Sequence, residues 1–118
     1  MSRKKRKEFR SFECCNYKDG LKDSYITMTK SMLLNEKWLN LTYSSQILYI
    51  YMKLWSYGRI EIPFSYSLAI KNNIVKSRTT FKKSIDELIE NGFIEITRIS
   101  KKPGTATLYK FTNKWHAN

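Results

Sequence analysis

Ser77-Arg78-Thr79-Thr80 opens the stretch of this sequence richest in chemical possibility. An arginine can donate two parallel hydrogen bonds to a planar acceptor edge such as that of guanine. A threonine offers a hydroxyl to phosphate and a methyl to the thymine methyl. Lys82 and Lys83 follow within the next turn, where ammonium groups can neutralise phosphates. Other chemistries lack their residues. His116 is the only histidine, no carboxylate pair marks a cleft, and Gly20, Gly58, Gly92 and Gly104 read as punctuation rather than a phosphate-cradling loop. An enzyme is therefore not expected. Cys14 and Cys15 are adjacent, which suits neither a mutual bridge nor a zinc spacing. They read as reduced cytoplasmic thiols, and no metal or cofactor is expected.

The charge balance points the same way. The chain has 118 residues, 22 Lys and Arg against 10 Asp and Glu, and a net charge of +12. One such domain repels itself, which favours a polyanionic partner. The excess is uneven: net +4 over residues 1–13, +2 over 14–70 and +6 over 71–118. The start, with Arg3, Lys4, Lys5, Arg6 and Lys7, is basic but has no apolar stretch behind it, so no signal peptide is expected. No run approaches the ~18 apolar residues of a membrane span. A cytoplasmic location is the expectation.

These residues need elements to hold them. Residues 1–24 read as a mobile basic arm, 25–115 as the folded domain and 116–118 as a tail. Residues 25–29 alternate, as a short extended entry would. Met32, Leu33, Leu34, Trp38 and Leu39 recur at helical spacing, predicting a helix over 31–39. Thr42 caps a central core helix over 43–56, its apolar set being Ile47, Leu48, Ile50, Tyr51, Leu54 and Trp55. Residues 59–62 alternate as a short strand that Pro63 ends. A short helix over 65–72 carries Leu68, Ala69 and Ile70. Asn72-Asn73 turns the chain, with Ile74 and Val75 as apolar plugs. Ser77 caps a helix running to Asn91, where Gly92 stops it. Residues 93–99 and 107–112 pair as a hairpin across 101–105. The order is helix, helix, strand, helix, turn, helix, strand, turn, strand, an α+β class.

The helix over 77–91 divides by face. Phe81, Ile85, Leu88 and Ile89 form a buried stripe; Arg78, Thr79, Lys82 and Lys83 fall largely off it. Its bases come first and its acids, Asp86, Glu87 and Glu90, come later. That order opposes the helix dipole, and an anion at the N-terminal end would explain it. A recognition helix in a major groove uses such an end. Ser77 would serve as cap and phosphate contact, and Thr80 as a phosphate or methyl contact. The hairpin tip, with Lys101, Lys102 and nearby Arg98, would lie along the neighbouring backbone or enter a minor groove, as would the arm. The alternatives are a solvated amphipathic helix, an ordinary charged tip and a solubilising tail.

The run Ser77-Arg78-Thr79-Thr80-Phe81, then Ile85-Asp86-Glu87-Leu88, then Asn91-Gly92-Phe93-Ile94-Glu95-Ile96, resembles winged-helix proteins of plasmids, phages and integrative elements. Leu108-Tyr109-Lys110-Phe111 and Lys114-Trp115 are similar to their closing strand and terminal Trp, and Pro63-Phe64-Ser65-Tyr66 to the entry of their first helix-turn-helix helix. The stretch from Leu41-Thr42-Tyr43-Ser44 to Tyr51 is similar to the first core helix of plasmid replication-initiator N-terminal domains. The resemblance implies a winged helix-turn-helix with a three-helix core, a C-terminal hairpin wing and an additional short N-terminal helix. It implies double-stranded DNA as partner and a replication or transcription task on a mobile genetic element. Self-association, or a replication or transcription protein, is a further candidate partner; no small-molecule substrate or membrane is expected. No coiled-coil seam is expected. The rival function is a protein-interaction adaptor on the same scaffold, which the Tyr and Trp side chains of 43–57 would serve if exposed.

Overall fold

The computed structural model describes residues 26–102 and 105–116; the run Arg3, Lys4, Lys5, Arg6 and Lys7 lies outside them. The elements are α1 (Lys30–Leu33), α2 (Glu36–Leu39), α3 (Tyr43–Ser56), β1 (Glu61–Phe64), α4 (Tyr66–Lys71), α5 (Arg78–Glu90), β2 (Ile94–Arg98) and β3 (Thr107–Phe111). A 3-10 turn over Lys114–His116 follows. The described residues thus form an α+β structure of five helices and one antiparallel sheet ordered β1-β3-β2. No helix among them is long and apolar enough to cross a membrane.

Each helix begins on a side chain that accepts a hydrogen bond from an otherwise unpaired amide: Thr29, Asn35, Thr42, Ser65 and Ser77. α3 and α5 start where the sequence places them. The expected helix over 31–39 is instead two separate turns. Asn35 leaves the helical region at φ −72° and ψ 141°, and its side chain accepts from the Lys37 amide at 2.8 Å. That local bond competes with helix continuation. It also lets Met32 and Trp38 both be buried, although a continuous helix would turn residues six apart to different faces.

The expected end of the first strand is also corrected. Pro63 lies inside β1, opposite Leu108 of β3. Because β1 is an edge strand, a residue without an N–H fits there.

The third correction concerns α3. Its buried face is Ser45, Leu48, Tyr49, Met52 and Ser56. Ile47, Tyr51 and Leu54, expected in the core, are 42%, 37% and 37% exposed. The apolar positions of this helix run nearly all the way round it, so one side must face out. Two serines can line the inner side because their hydroxyls are satisfied. Ser56 donates to the Lys53 carbonyl at 2.7 Å, and Ser45 donates to Glu87.

Aromatic rings join α2, α3, the chain between α5 and β2 and the closing 3-10 turn. Phe93 is fully buried, edge-on to Trp38 at 5.6 Å and to Tyr49 at 5.8 Å, and stacked on Trp115 at 6.0 Å. Such pairs add about 0.5–1.5 kcal/mol each beyond burial. Between α4 and α5 the chain turns at Asn73, whose φ of 57° is left-handed. Ile74 and Val75 then drop into the core, as the plugs expected from the sequence.

α5 ends at Glu90 and is capped by Asn91, followed by Gly92 at φ +84°. A Cβ there would lie 2.6 Å from the Trp115 backbone nitrogen and 2.8 Å from the Lys114 carbonyl carbon. The Gly92 carbonyl meanwhile accepts from the Trp115 amide at 3.2 Å. Gly92→Ala is expected to cost at least about 2 kcal/mol, from left-handed strain plus displacement of the closing turn. Urea denaturation checks this; a loss below about 0.5 kcal/mol would show that the turn does not seat on Gly92.

Candidate nucleic-acid interface

The first turn of α5 is held by Ser77. Its Oγ accepts from the Thr80 amide at 3.1 Å and donates to Thr80 Oγ1 at 3.0 Å. Both hydroxyls are therefore engaged in capping, and both residues are half-buried. Arg78, Thr79, Lys82 and Lys83 are exposed, while Ile85 and Leu88 are buried and Phe81 and Ile89 pack partly against the core. The division of faces expected from the sequence is the one observed.

The exposed side chains are not equivalent. The Arg78 guanidinium lies over the Tyr66 ring, 4.3 Å from its centroid. Tyr66 is itself held edge-on against Phe81 at 5.8 Å. Stacking occupies a face of the guanidinium and leaves its in-plane N–H groups to donate outward. Lys82 pairs with Asp86 at 3.0 Å, on side chains 73% and 50% exposed. So exposed an ion pair holds little energy and yields easily to a competing anion. Lys83 lines a groove of about 500 Å³ together with Thr42, Ser44, Asp86, Glu87 and Glu90. It therefore stands on the acidic flank of α5, away from Arg78.

At the hairpin, Arg98 follows a register break between Ile96 and Arg98, and it, Lys101 and Lys102 are exposed. The turn is internally braced. Ser100 Oγ donates to the Thr105 carbonyl at 2.7 Å, and Thr105 Oγ1 donates to the Lys102 carbonyl at 2.9 Å. Lys110 is placed differently, in register between Glu61 of β1 and Glu95 of β2, where its charge is offset. The sheet aromatics face inward: Phe64 and Tyr109 are buried, and Phe111 is half-buried against the core. Burial raises the Tyr109 phenol above its usual range, with a smaller push from the Asp86 carboxylate, and pushes Tyr49 up to about 12.

Four contributors escaped the sequence reading. Tyr66 organises Arg78, and its only sequence signal is an aromatic opening the helix before the turn. Lys71 and Lys76 are exposed on either side of the turn and extend the basic run toward Arg78. Glu87 was read only as one of the late acids of α5. It accepts from the Thr42 amide at 3.2 Å, from Thr42 Oγ1 at 2.9 Å, and from the Ser45 hydroxyl. Partial burial pushes this carboxyl upward, but the bonds from Ser45 and Thr42 outweigh it and hold the group below its ordinary 4.5. No protein family, curated protein or solved structure matches the chain.

A depressed carboxyl stabilises the fold fully above its unfolded value and loses that contribution as pH falls through the lower folded value. Glu87→Ala is expected to cost about 1–2 kcal/mol at pH 7, after allowance for solvent screening. Denaturation of the two proteins from pH 7 to 3 checks it. The gap should hold down to about pH 5 and shrink below about pH 4.5; a gap that widens on acidification would contradict the arrangement.

Proposed function

We propose that the chain binds double-stranded DNA as a winged helix-turn-helix domain. α4 and α5 are the helix-turn-helix, α5 is the recognition helix, and the β2–β3 hairpin is the wing. The observation that carries the reading is the charge order on α5. Its first turn has no acid and its last turn no base, yet Arg78, Thr79, Lys82 and Lys83 stand exposed on its N-terminal half. An isolated helix prefers the opposite order, whereas phosphates and base edges at the N-terminal end reward this one.

Other features support it. The order α3, β1, α4, α5, β2, β3, with β3 between β1 and β2, agrees with a helix-turn-helix that leads directly into a wing. Buried sheet aromatics favour duplex over single-strand binding, because single-strand readers display their rings for base stacking. Arg78, held against Tyr66, is the base-reading candidate. Lys82, Lys83, Arg98, Lys101 and Lys102 are phosphate contacts, with Thr79 at phosphate or a thymine methyl. Ser77 and Thr80 contribute chiefly by fixing the helix start. The resemblance to winged-helix proteins of plasmids, phages and integrative elements supports a replication or transcription task on a mobile element.

Two variants separate the contact classes. After selection of a preferred duplex from a random pool, Arg78→Ala is expected to cost about 1–3 kcal/mol on that site and to relax preference at one base pair. Lys101→Ala combined with Lys102→Ala should weaken all duplexes about equally and flatten the salt dependence. If both proteins bind every duplex as the parent does, the assigned face is wrong.

A further inference from the structure

The outward face of α3 is unlike the rest of this basic surface. The helix spans 14 residues and carries one charged side chain, Lys53. That ammonium lies 5.3 Å from the Phe111 ring centroid, toward the sheet. Opposite the buried Ser45, Leu48, Tyr49 and Met52 stand Tyr43, Ile47, Ile50 and Leu54, with Tyr51 beside them. Tyr43 is 83% exposed, Ile47 42% and Leu54 37%, while Ile50 is half-buried and packs in part against the core. The spacing 43, 47, 50, 54 alternates four and three, as the apolar seam of a helix paired with another helix does. The sequence reading merged Ile47, Ile50, Tyr51 and Leu54 into the core stripe and left Tyr43 out of it, which is why no seam was visible there.

We infer that this face is a self-association surface, on which α3 of a second copy packs antiparallel across a twofold axis. Three observations select that occupant. Two chains of net charge +12 repel, and the α3 seam, which has no charge, lets them meet without placing like charges together. The ends of α3 differ in sign. Asp86, Glu87 and Glu90 of α5 line the groove beside Thr42 and Ser44 at its start, whereas the exposed Arg59 is tied to its end by a bond from Nε to the Ser56 carbonyl. An antiparallel pair sets the acidic end of each copy near the basic end of the other, and a parallel pair would stack like ends. Helix dipoles favour the same direction. The seam is also self-complementary about a twofold between residues 48 and 49. Tyr43 meets Leu54 of the second copy, and Ile47 meets Ile50.

α5 packs on the inner side of α3, joined to it through Ser45 and Glu87. Pairing on the outer side therefore leaves Arg78, Thr79 and Lys82 uncovered. A single pair of helices of this length, about 21 Å, buries an area at the low end of specific interfaces. The dimer is weak and concentration-dependent.

Sedimentation of the full chain without DNA, from about 1 to 200 µM, tests this. The parent should pass from monomer to dimer across that range, and added salt should not abolish the dimer. Ile47→Lys, on an exposed position, should keep the parental circular dichroism and melting temperature. Its dissociation constant should rise at least about tenfold. Tyr43→Glu and Leu54→Lys should each weaken self-association, and mixing the two chains should restore a heterodimer. A parent that stays monomeric throughout, an Ile47→Lys protein that dimerises like the parent, or a mixture with no heterodimer would each overturn the proposal. Because no DNA is present, none of these results bears on the DNA reading.

Discussion

The carboxylate of Glu87 closes the start of one helix from the side of another. In a capping box, an acid three residues after the cap bonds back to the cap's amide. Here that position is Ser45, and the acid comes from α5. The Glu87 carboxylate accepts from the Thr42 amide and hydroxyl and from the Ser45 hydroxyl. Thr42 Oγ1 in turn accepts from the Ser45 amide at 3.3 Å. One carboxylate therefore fixes the N-terminus of α3 and the rotation of α5 about its own axis. Ser45 and Ser84, both buried and small, suit the close approach this requires. With α5 so fixed, Ile85 and Leu88 face the core, and Arg78, Thr79 and Lys82 are turned to the exposed side.

The rest of the surface follows from that rotation. Acids gather where α5 leaves the start of α3, and bases gather at the beginning of α5, around the turn before it and at the hairpin tip. Tyr66, on the neighbouring helix, gives Arg78 a platform and so lowers the cost of holding a long side chain in one place. The sheet closes the opposite side of the core. Its edge strand tolerates Pro63, and the chain after β3 returns over Gly92, where only a hydrogen atom fits. Stability and presentation of the basic face thus rest on the same packed unit.

Much of this was legible in the residues. Thr42 and Ser77 marked helix starts because a cap is a local signal, and Gly92 marked an end for the same reason. The stripe of Phe81, Ile85, Leu88 and Ile89 was legible because it is the only apolar face of a polar helix. α3 was not, since apolar residues surround it and periodicity then cannot tell the core side from the outside. The break at Asn35 was hidden because Met32, Leu33, Leu34, Trp38 and Leu39 mimic one helix while a side-chain bond ends it. Pro63 misled because its tolerance depends on β1 being an edge, which only the sheet order reveals. Glu87 and Tyr66 act across 45 and 12 positions of sequence respectively, and no local pattern encodes either contact.

The central claim is that the basic N-terminal half of α5 and the wing meet the phosphate backbone of a duplex. Its most direct test is the affinity for a random-sequence duplex as a function of salt. Five cations on this face, Arg78, Lys82, Arg98, Lys101 and Lys102, with Lys83 on its flank, imply a linear fall of log K with log salt and a slope of about −4 to −5. A slope near zero, or no binding at low salt, would contradict the account.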